Sequence, residues 1–193
     1  MDVHDPPVNV STPKPDLSVL TIGHSNHPIE RFLGLLRQHG VEVLVDARSK
    51  PFSRFSPQFS RKALGRAVTE ASIRYLFMGD ILGGRPEARE CYGADGKVDY
   101  DLVEAQEFYQ RGIERLLDGI ARFRVCILCA EEDPTRCHRR LLITRTLVRQ
   151  GVDVVHIRGT GAVEIEAEIA TRSRSGQLSL LAYGDGSREG RPR

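Results

Sequence analysis

Residues 125–140 read VCILCAEEDPTRCHRR and join an apolar run to a polar loop and to the start of a helix. An almost wholly apolar run such as 125–130 is typical of a central parallel strand that is covered on both faces. Asp133-Pro134-Thr135 predicts a turn, and Gln150-Gly151 is a typical helix end, so we expect a helix from about Cys137 to this point. A buried strand followed by a loop and a helix is the repeating unit of an α/β protein.

The same alternation of strand and helix recurs before and after this stretch. Short β-branched runs predict strands at 18–23, 41–46, 73–78 and 152–157, and apolar residues at helical spacing predict helices at 29–36, 64–71 and 101–122. The glycine-rich residues 79–100 predict an irregular excursion. The expected fold is a three-layer α/β sandwich around a mostly parallel sheet of about five strands, Rossmann-like or flavodoxin-like.

Length and composition predict one domain with a short segment at each end. A chain of 193 residues with 40% hydrophobic residues is long enough and apolar enough to bury one core. Residues 1–16 are proline-rich without periodicity and predict a disordered segment. Residues 17–170 form the expected α/β domain, and residues 171–193 predict a flexible tail rich in serine, glycine and arginine.

The charge balance excludes a protein that is basic throughout. Twenty-eight lysines and arginines face 26 acidic residues, which leaves a net charge of +2, so any basic surface must be local. No run approaches the roughly 20 apolar residues of a membrane span, and the polar N-terminal stretch contains no signal-peptide core, so we expect no membrane partner and a cytoplasmic location. In that compartment the four cysteines are expected to be reduced.

Three of the predicted strand-to-helix loops carry the polar side chains of a candidate site. Right-handed crossovers place such loops at the carboxyl edge of the sheet, where α/β folds bind ligands. The candidate residues are His24, Ser25, Asp46, Arg48, Cys129, Glu131, Cys137, His138 and Arg139. The leading hypothesis is an enzyme-like domain that binds a phosphate-bearing ligand, a nucleotide or nucleic acid, although the sequence leaves open whether a reaction takes place.

Cys137 is the predicted nucleophile of this site. A thiol at a helix N-terminus beside arginines has its pKa lowered below the free value of about 8.5. Arg139 and the first-turn backbone N–H groups would hold an oxyanion next to the thiol, with Arg48 as a second anion clamp. The alternative interpretation is a small residue packed beneath the helix start, beside solvated arginines.

Two carboxylates and one imidazole are the predicted acid–base groups. Glu131 and Asp46 each follow a strand at the same sheet edge and are placed to act as a general base or to orient a histidine. His24 either contacts the ligand or holds its own loop. A simpler alternative for Asp46 is an ion pair with Arg48.

A zinc site is a further alternative for the same loops. Cys129, Cys137, His138 and His24 together offer four ligands that suit zinc. The spacing argues against it, because zinc knuckles hold ligands two to four residues apart in a turn, whereas Cys126 and Cys129 fall within one strand and face opposite sides. The sequence therefore assigns no metal ligand and names no cofactor.

A stretch after the second predicted strand combines basic and aromatic residues. Between Asp46 and Glu70 there is no acidic residue. The interleaved residues are Arg48, Lys50, Arg54, Arg61, Lys62 and Arg66 with Phe52, Phe55 and Phe59. Basic groups bind phosphates and aromatic rings stack on bases, so Arg54 and Phe55 are candidate contacts for single-stranded nucleic acid. The alternative is a small satellite core.

The predicted tail contains one apolar peptide, Gln177-Leu178-Ser179-Leu180-Leu181. Exposed apolar residues in a mobile tail are expected to dock on the domain or on a partner. The peptide resembles the motif with which proteins bind the bacterial sliding clamp. A noncatalytic adaptor that joins nucleic acid to the clamp through Gln177, Leu178, Leu180 and Leu181 is therefore the alternative function.

The combined motifs resemble one protein family. They are Thr21-Ile-Gly-His-Ser25, Asp46-x-Arg48-x-x-Pro51-x-Ser53, Tyr75 with Leu82-Gly-Gly84, and Leu128-Cys-Ala-Glu131 leading to Cys137-His-Arg139. This pattern, over about residues 19–158, is similar to that of the bacterial and archaeal domain-of-unknown-function family 488. The resemblance implies a compact α/β domain with these segments as its signature, and it implies no reaction, substrate or cofactor.

Overall fold

Six strands form one sheet in the computed structural model, which describes residues 17–52 and 54–173. The strands are β1 (Ser18–Gly23), β2 (Val43–Asp46), β3 (Arg74–Phe77), β4 (Val125–Cys129), β5 (Asp153–Ile157) and β6 (Val163–Ile165). Their order is β3-β2-β4-β1-β5-β6, with β1 to β5 parallel and β6 antiparallel to β5. The mostly parallel sheet is confirmed, and it contains one strand more than predicted.

The additional strand β6 forms a short hairpin with β5. Antiparallel neighbours need only a tight turn, and here the Arg158 N–H returns to the carbonyl of Ala162 at 2.8 Å while Gly161 adopts φ +97°. Three residues are too few to show an alternation of apolar and polar side chains. This brevity is the reason that the sequence pattern did not predict β6.

Helices cover both faces of the sheet and complete the three-layer sandwich. The helices α1 (Ile29–Gln38) and α2 (Arg61–Glu70) lie on one face, and α3 (Tyr100–Glu104), α4 (Glu107–Ile120) and α5 (Arg145–Arg149) lie on the other. On α1, the buried Phe32, Leu35 and Leu36 follow helical spacing and pack against the first face. None of the described helices is long and apolar enough to span a bilayer.

Two predicted helices are interrupted. The helix expected at 101–122 is divided between α3 and α4, because Gln106 is extended at φ −78° and ψ 138° and starts a new helix. The helix expected from Cys137 begins as a π-helical segment, Arg139–Thr144, and continues as α5. Apolar spacing is similar on both sides of each break, so periodicity does not reveal it, and π-helical turns frequently occur beside functional sites.

The position of β4 determines where the polar loops meet. β4 lies between β2 and β1, so the loops that follow these three strands are neighbours at the carboxyl edge. After β1 and β2 the chain passes to the face that carries α1 and α2, whereas after β4 it passes to the opposite face. This divergence opens a crevice beside β4, where α/β folds bind their ligands.

Four sequence predictions fall partly or wholly outside the described residues. They are the disordered segment 1–16, the flexible tail 171–193, the sliding-clamp peptide with Gln177, Leu178, Leu180 and Leu181, and Ser53 of the family motif. Residues 166–173, which end the described part of the chain, are helical.

Candidate functional site

A buried polar network connects the loops after β1 and β2. Asp46 is fully buried, and its two carboxylate oxygens accept hydrogen bonds from Arg48 Nε at 2.8 Å and Nη2 at 2.7 Å. Tyr75 donates its hydroxyl to Asp46 Oδ2 at 2.6 Å, and Arg48 Nη1 donates to His24 Nε2 at 2.9 Å. Because its oxygens are occupied, Asp46 orients Arg48 in this arrangement and is not available as the general base that the sequence predicts.

His24 is held as a neutral imidazole within this network. Its Nδ1 donates to the carbonyl of Ser25 at 2.6 Å, its Nε2 accepts from Arg48, and its ring stacks on Phe59 with centroids 4.3 Å apart. Burial and the neighbouring Arg48 guanidinium lower the pKa of His24 to about 4. His24 therefore supports Arg48 at neutral pH.

The low pKa of His24 predicts a specific pH dependence of stability. The unfolded imidazole takes up a proton near pH 6.5, whereas the folded one does so only near pH 4. Because the unfolded chain binds the extra proton between these values, the contribution of His24 to the free energy of unfolding should be highest above pH 6.5. We expect it to fall by about 3 kcal/mol as the pH decreases to 4. Urea unfolding of the parent and of His24→Gln at several pH values measures this contribution. If the free energy of unfolding changes equally with pH in both proteins, the prediction is refuted.

A second cluster joins the end of β4 to the start of the π-helical segment. Cys129 Sγ and Cys137 Sγ both donate to Glu131 Oε2, at 2.9 and 3.2 Å. His138 Nδ1 lies 3.4 Å from Cys129 Sγ and 3.9 Å from Cys137 Sγ. The two clusters are connected through the backbone, since the His24 N–H donates to the carbonyl of Cys129 at 3.0 Å.

Contacts within this cluster shift the pKa values of Cys129 and Glu131. Hydrogen bonding with Cys137, together with burial, raises the pKa of the Cys129 thiol. Burial opposes ionisation of Glu131, but hydrogen bonds from Cys129 and Cys137 outweigh it and lower the pKa of the Glu131 carboxyl. Without a bound ion, the cluster thus favours a protonated Cys129 thiol beside an ionised Glu131 carboxylate.

The residues around Cys137 do not form the activating environment that was predicted for its thiol. Arg139 is fully buried, and its guanidinium donates to the backbone carbonyls of Glu131 and Glu132. The prediction of Arg139 as an anion clamp is therefore corrected: it holds the loop after β4. Cys137 is followed by a π-helical segment, where the sequence predicted a regular α-helix.

Three other predicted ligand contacts make no side-chain hydrogen bond to either cluster among the described residues. Ser25 has φ +47°, and its hydroxyl contacts Asn26 at 3.4 Å. Arg54 is exposed, and Phe55 is 96% exposed. Ser25 meets the first cluster only through its backbone, since its carbonyl accepts a hydrogen bond from His24 Nδ1.

A pocket of about 330 Å³ opens above the second cluster. Its walls carry the four basic side chains Arg48, Lys50, Arg85 and Arg136, with Tyr100 and the Cys129, Glu131, Cys137 and His138 cluster. Among the ion pairs of residues 17–52 and 54–173, only Arg48 of these four has a carboxylate partner. A larger cavity of about 750 Å³ lies against α4 and contains none of the predicted site residues except Tyr75 of the family motif.

Three further pocket residues, Arg85, Arg136 and Tyr100, were not predicted from the sequence. Arg85 lies in the glycine-rich segment 79–100, and its backbone N–H donates to Ser49 Oγ at 2.9 Å. A Cβ at Gly84 would stand 2.6 Å from Cβ of His138, so only glycine allows this approach. The adjacent glycines at 83 and 84 were the one available signal of close packing.

The family comparison agrees with the motifs that line the pocket. The family model "Domain of unknown function DUF488" matches residues 28–146, a range that contains Asp46, Arg48 and the whole Cys129 to Arg139 loop. No curated protein and no solved structure matches the chain. Since the matched range covers more than half of the 193 residues, the chain belongs to the DUF488 family.

Proposed function

We propose that this domain binds a phosphate-bearing ligand in the pocket at the carboxyl edge of its sheet. The observation that carries the proposal is the group of Lys50, Arg85 and Arg136, which line the pocket and have no carboxylate partner among the described residues. Basic side chains that converge on a concave surface without carboxylate partners of their own favour an anion with several oxygens.

The size of the pocket favours a small ligand or the end of a larger one. A volume of about 330 Å³ is at the lower limit of ligand pockets, which hold about 300 to 1,000 Å³. A phosphate with an attached sugar or a mononucleotide fits such a volume. Glu131, which lines the pocket and accepts hydrogen bonds from both thiols, is the proposed acid–base group, while Asp46 and His24 fix the orientation of Arg48.

Isothermal titration calorimetry with inorganic pyrophosphate tests the anion pocket. Each lost charge-assisted contact corresponds to about 1.5 to 3 kcal/mol, so replacing both Arg85 and Arg136 with glutamine should weaken binding by about 100-fold or more. Arg37→Gln on α1 is the control, because it replaces an arginine with glutamine at the opposite edge of the sheet. Unchanged affinity in the double variant would contradict the proposal.

A nucleic-acid source of the phosphate is favoured by one further observation. Phe52 and Phe55 are 73% and 96% exposed and flank the exposed Arg54, an arrangement that suits stacking of unpaired bases. In a fluorescence anisotropy experiment with labelled oligothymidine, Phe55→Ala should weaken binding to the strand but not to pyrophosphate. An affinity that does not fall with rising salt would exclude phosphate contacts to a strand.

Two further parts of the functional hypothesis stay predictions from the sequence. Docking to a sliding clamp through Gln177, Leu178, Leu180 and Leu181 concerns residues outside those that the structure describes. A cytoplasmic location suits a nucleotide or nucleic-acid ligand and agrees with the free state of Cys91, Cys126, Cys129 and Cys137.

A further inference from the structure

We propose that Cys129, Cys137 and His138 together bind a divalent transition-metal ion, zinc in the first instance, and leave its fourth position open to the pocket. The ligand atoms of these three residues lie within 4.8 Å of one another. All three residues also line the anion pocket, so a bound ion would stand in its wall. The metal site goes beyond the proposed function and does not depend on it.

The two sulfur–nitrogen distances are close to the edge of a tetrahedron around zinc. With zinc–sulfur and zinc–nitrogen bonds of about 2.3 and 2.0 Å, tetrahedral geometry places sulfur and nitrogen about 3.5 Å apart. His138 Nδ1 is 3.4 Å from Cys129 Sγ and 3.9 Å from Cys137 Sγ. The three atoms therefore need little movement to surround one ion.

The orientation of His138 leaves the correct nitrogen free for a metal. Its Nε2 lies 3.0 Å from the carbonyl of Ala47, an acceptor, so Nε2 carries the proton and Nδ1 directs its lone pair toward the two sulfurs. A backbone carbonyl that fixes the second ring nitrogen is the usual outer partner of a metal-binding histidine. Close packing against Gly84 restrains the same ring.

The donor set indicates which ions the site prefers. Two sulfurs and one imidazole nitrogen are soft and borderline ligands that suit zinc, and each thiol would release its proton on binding. Three protein ligands with an open fourth position are typical of catalytic zinc sites. Glu131 hydrogen-bonds to both sulfurs but falls outside the group of atoms within 4.8 Å, which places it beside the ion as a proton acceptor for bound water.

The structure changes the ligand set that the sequence suggests for zinc. His24 is excluded, because one of its ring nitrogens faces the Ser25 carbonyl and the other faces the Arg48 guanidinium. Cys129 and Cys137 are eight residues apart, farther than in a zinc knuckle, yet the turn at Asp133 and Pro134 folds the second cysteine back onto the first.

Metal content and a cobalt titration test the proposal. Full-length protein produced with added zinc and purified without a chelator is expected to contain about one zinc ion per chain by mass spectrometry. Titration of the metal-free protein with Co²⁺ should produce the thiolate-to-cobalt charge-transfer band and the intense visible bands of tetrahedral cobalt. Parent protein that contains no zinc and gives no thiolate-to-cobalt band would overturn the proposal.

Matched cysteine variants test the ligand assignment. Cys129→Ala should lose the zinc and the charge-transfer band, whereas Cys126→Ala, three residues earlier on β4 and in the opposite core, should retain both. Glu131→Gln should also retain the ion, and zinc loss in that variant would contradict the three-ligand assignment. Circular dichroism tests whether each variant is folded. If Cys129→Ala does not fold, the cobalt spectrum of the parent protein alone tests the metal site.

The two proposals for this pocket fail separately. If the protein binds pyrophosphate but never takes up zinc or cobalt, the anion pocket is supported and the metal site is refuted. If the zinc-loaded protein does not bind pyrophosphate, the metal site is supported and the anion pocket is refuted. Neither measurement depends on a catalytic assay.

Discussion

Asp46→Asn is expected to lower the free energy of unfolding by about 3 to 5 kcal/mol, the usual cost of removing one partner of a buried ion pair. The side chains of Asp46 and Arg48 are 0% and 6% exposed, so the guanidinium would remain buried without its counter-charge. The new amide would also present an N–H group to Arg48 or to the Tyr75 hydroxyl, both of which donate hydrogen bonds to the carboxylate in the parent.

Urea unfolding of Asp46→Asn and Tyr75→Phe measures this contribution. Tyr75→Phe is the matched comparison, because it removes one hydrogen bond to the same carboxylate and leaves the ion pair, so a loss of about 1 kcal/mol is expected. A loss below about 1 kcal/mol for Asp46→Asn would mean that water solvates the Arg48 guanidinium.

Gly23→Ala is expected to destabilise the protein by about 4 kcal/mol or more, at the upper end of overpacking effects. A Cβ at this position would stand 1.7 Å from the carbonyl oxygen of Glu131 and 2.6 Å from Nη1 of Arg139. Because the first of these is a backbone atom, the strand or the loop after β4 has to move. The same displacement would separate the ligands of the second cluster.

Gly34→Ala is the matched control for this substitution. Gly34 lies within α1, and no atom stands within 4 Å of a Cβ built there, so alanine should stabilise the protein by about 0.5 to 1 kcal/mol. Thermal unfolding and zinc content measure both variants. A Gly23→Ala protein with the stability of the parent would show that the loop after β4 is free to shift.

The edge of the sheet at which the polar loops meet followed from the sequence. The apolar run at 125–130 predicted a central strand, and β4 has neighbours on both sides with every residue buried. Parallel strands with right-handed crossovers place their loops at one edge, so the proximity of His24, Asp46 and Cys129 was predictable. Local side-chain patterns were sufficient because each strand and helix is specified by residues close together in the chain.

The roles of the charged residues at that edge did not follow from the sequence. Arg139 and Arg136 are three positions apart in one basic stretch, yet the first is fully buried and the second lines the pocket. An arginine is buried only where acceptors are placed around it, and for Arg139 the acceptors are two carbonyls supplied by the turn after β4.

The sequence by itself determined the layers of the fold, the polar edge and the residues available there. Tertiary structure alone decided that His138 is oriented by Ala47, 91 positions away, and that Arg48 reaches His24, 24 positions away. The physical reason is that a hydrophobic period is a property of neighbouring residues, whereas a buried polar group is stable only with partners that distant loops bring to it.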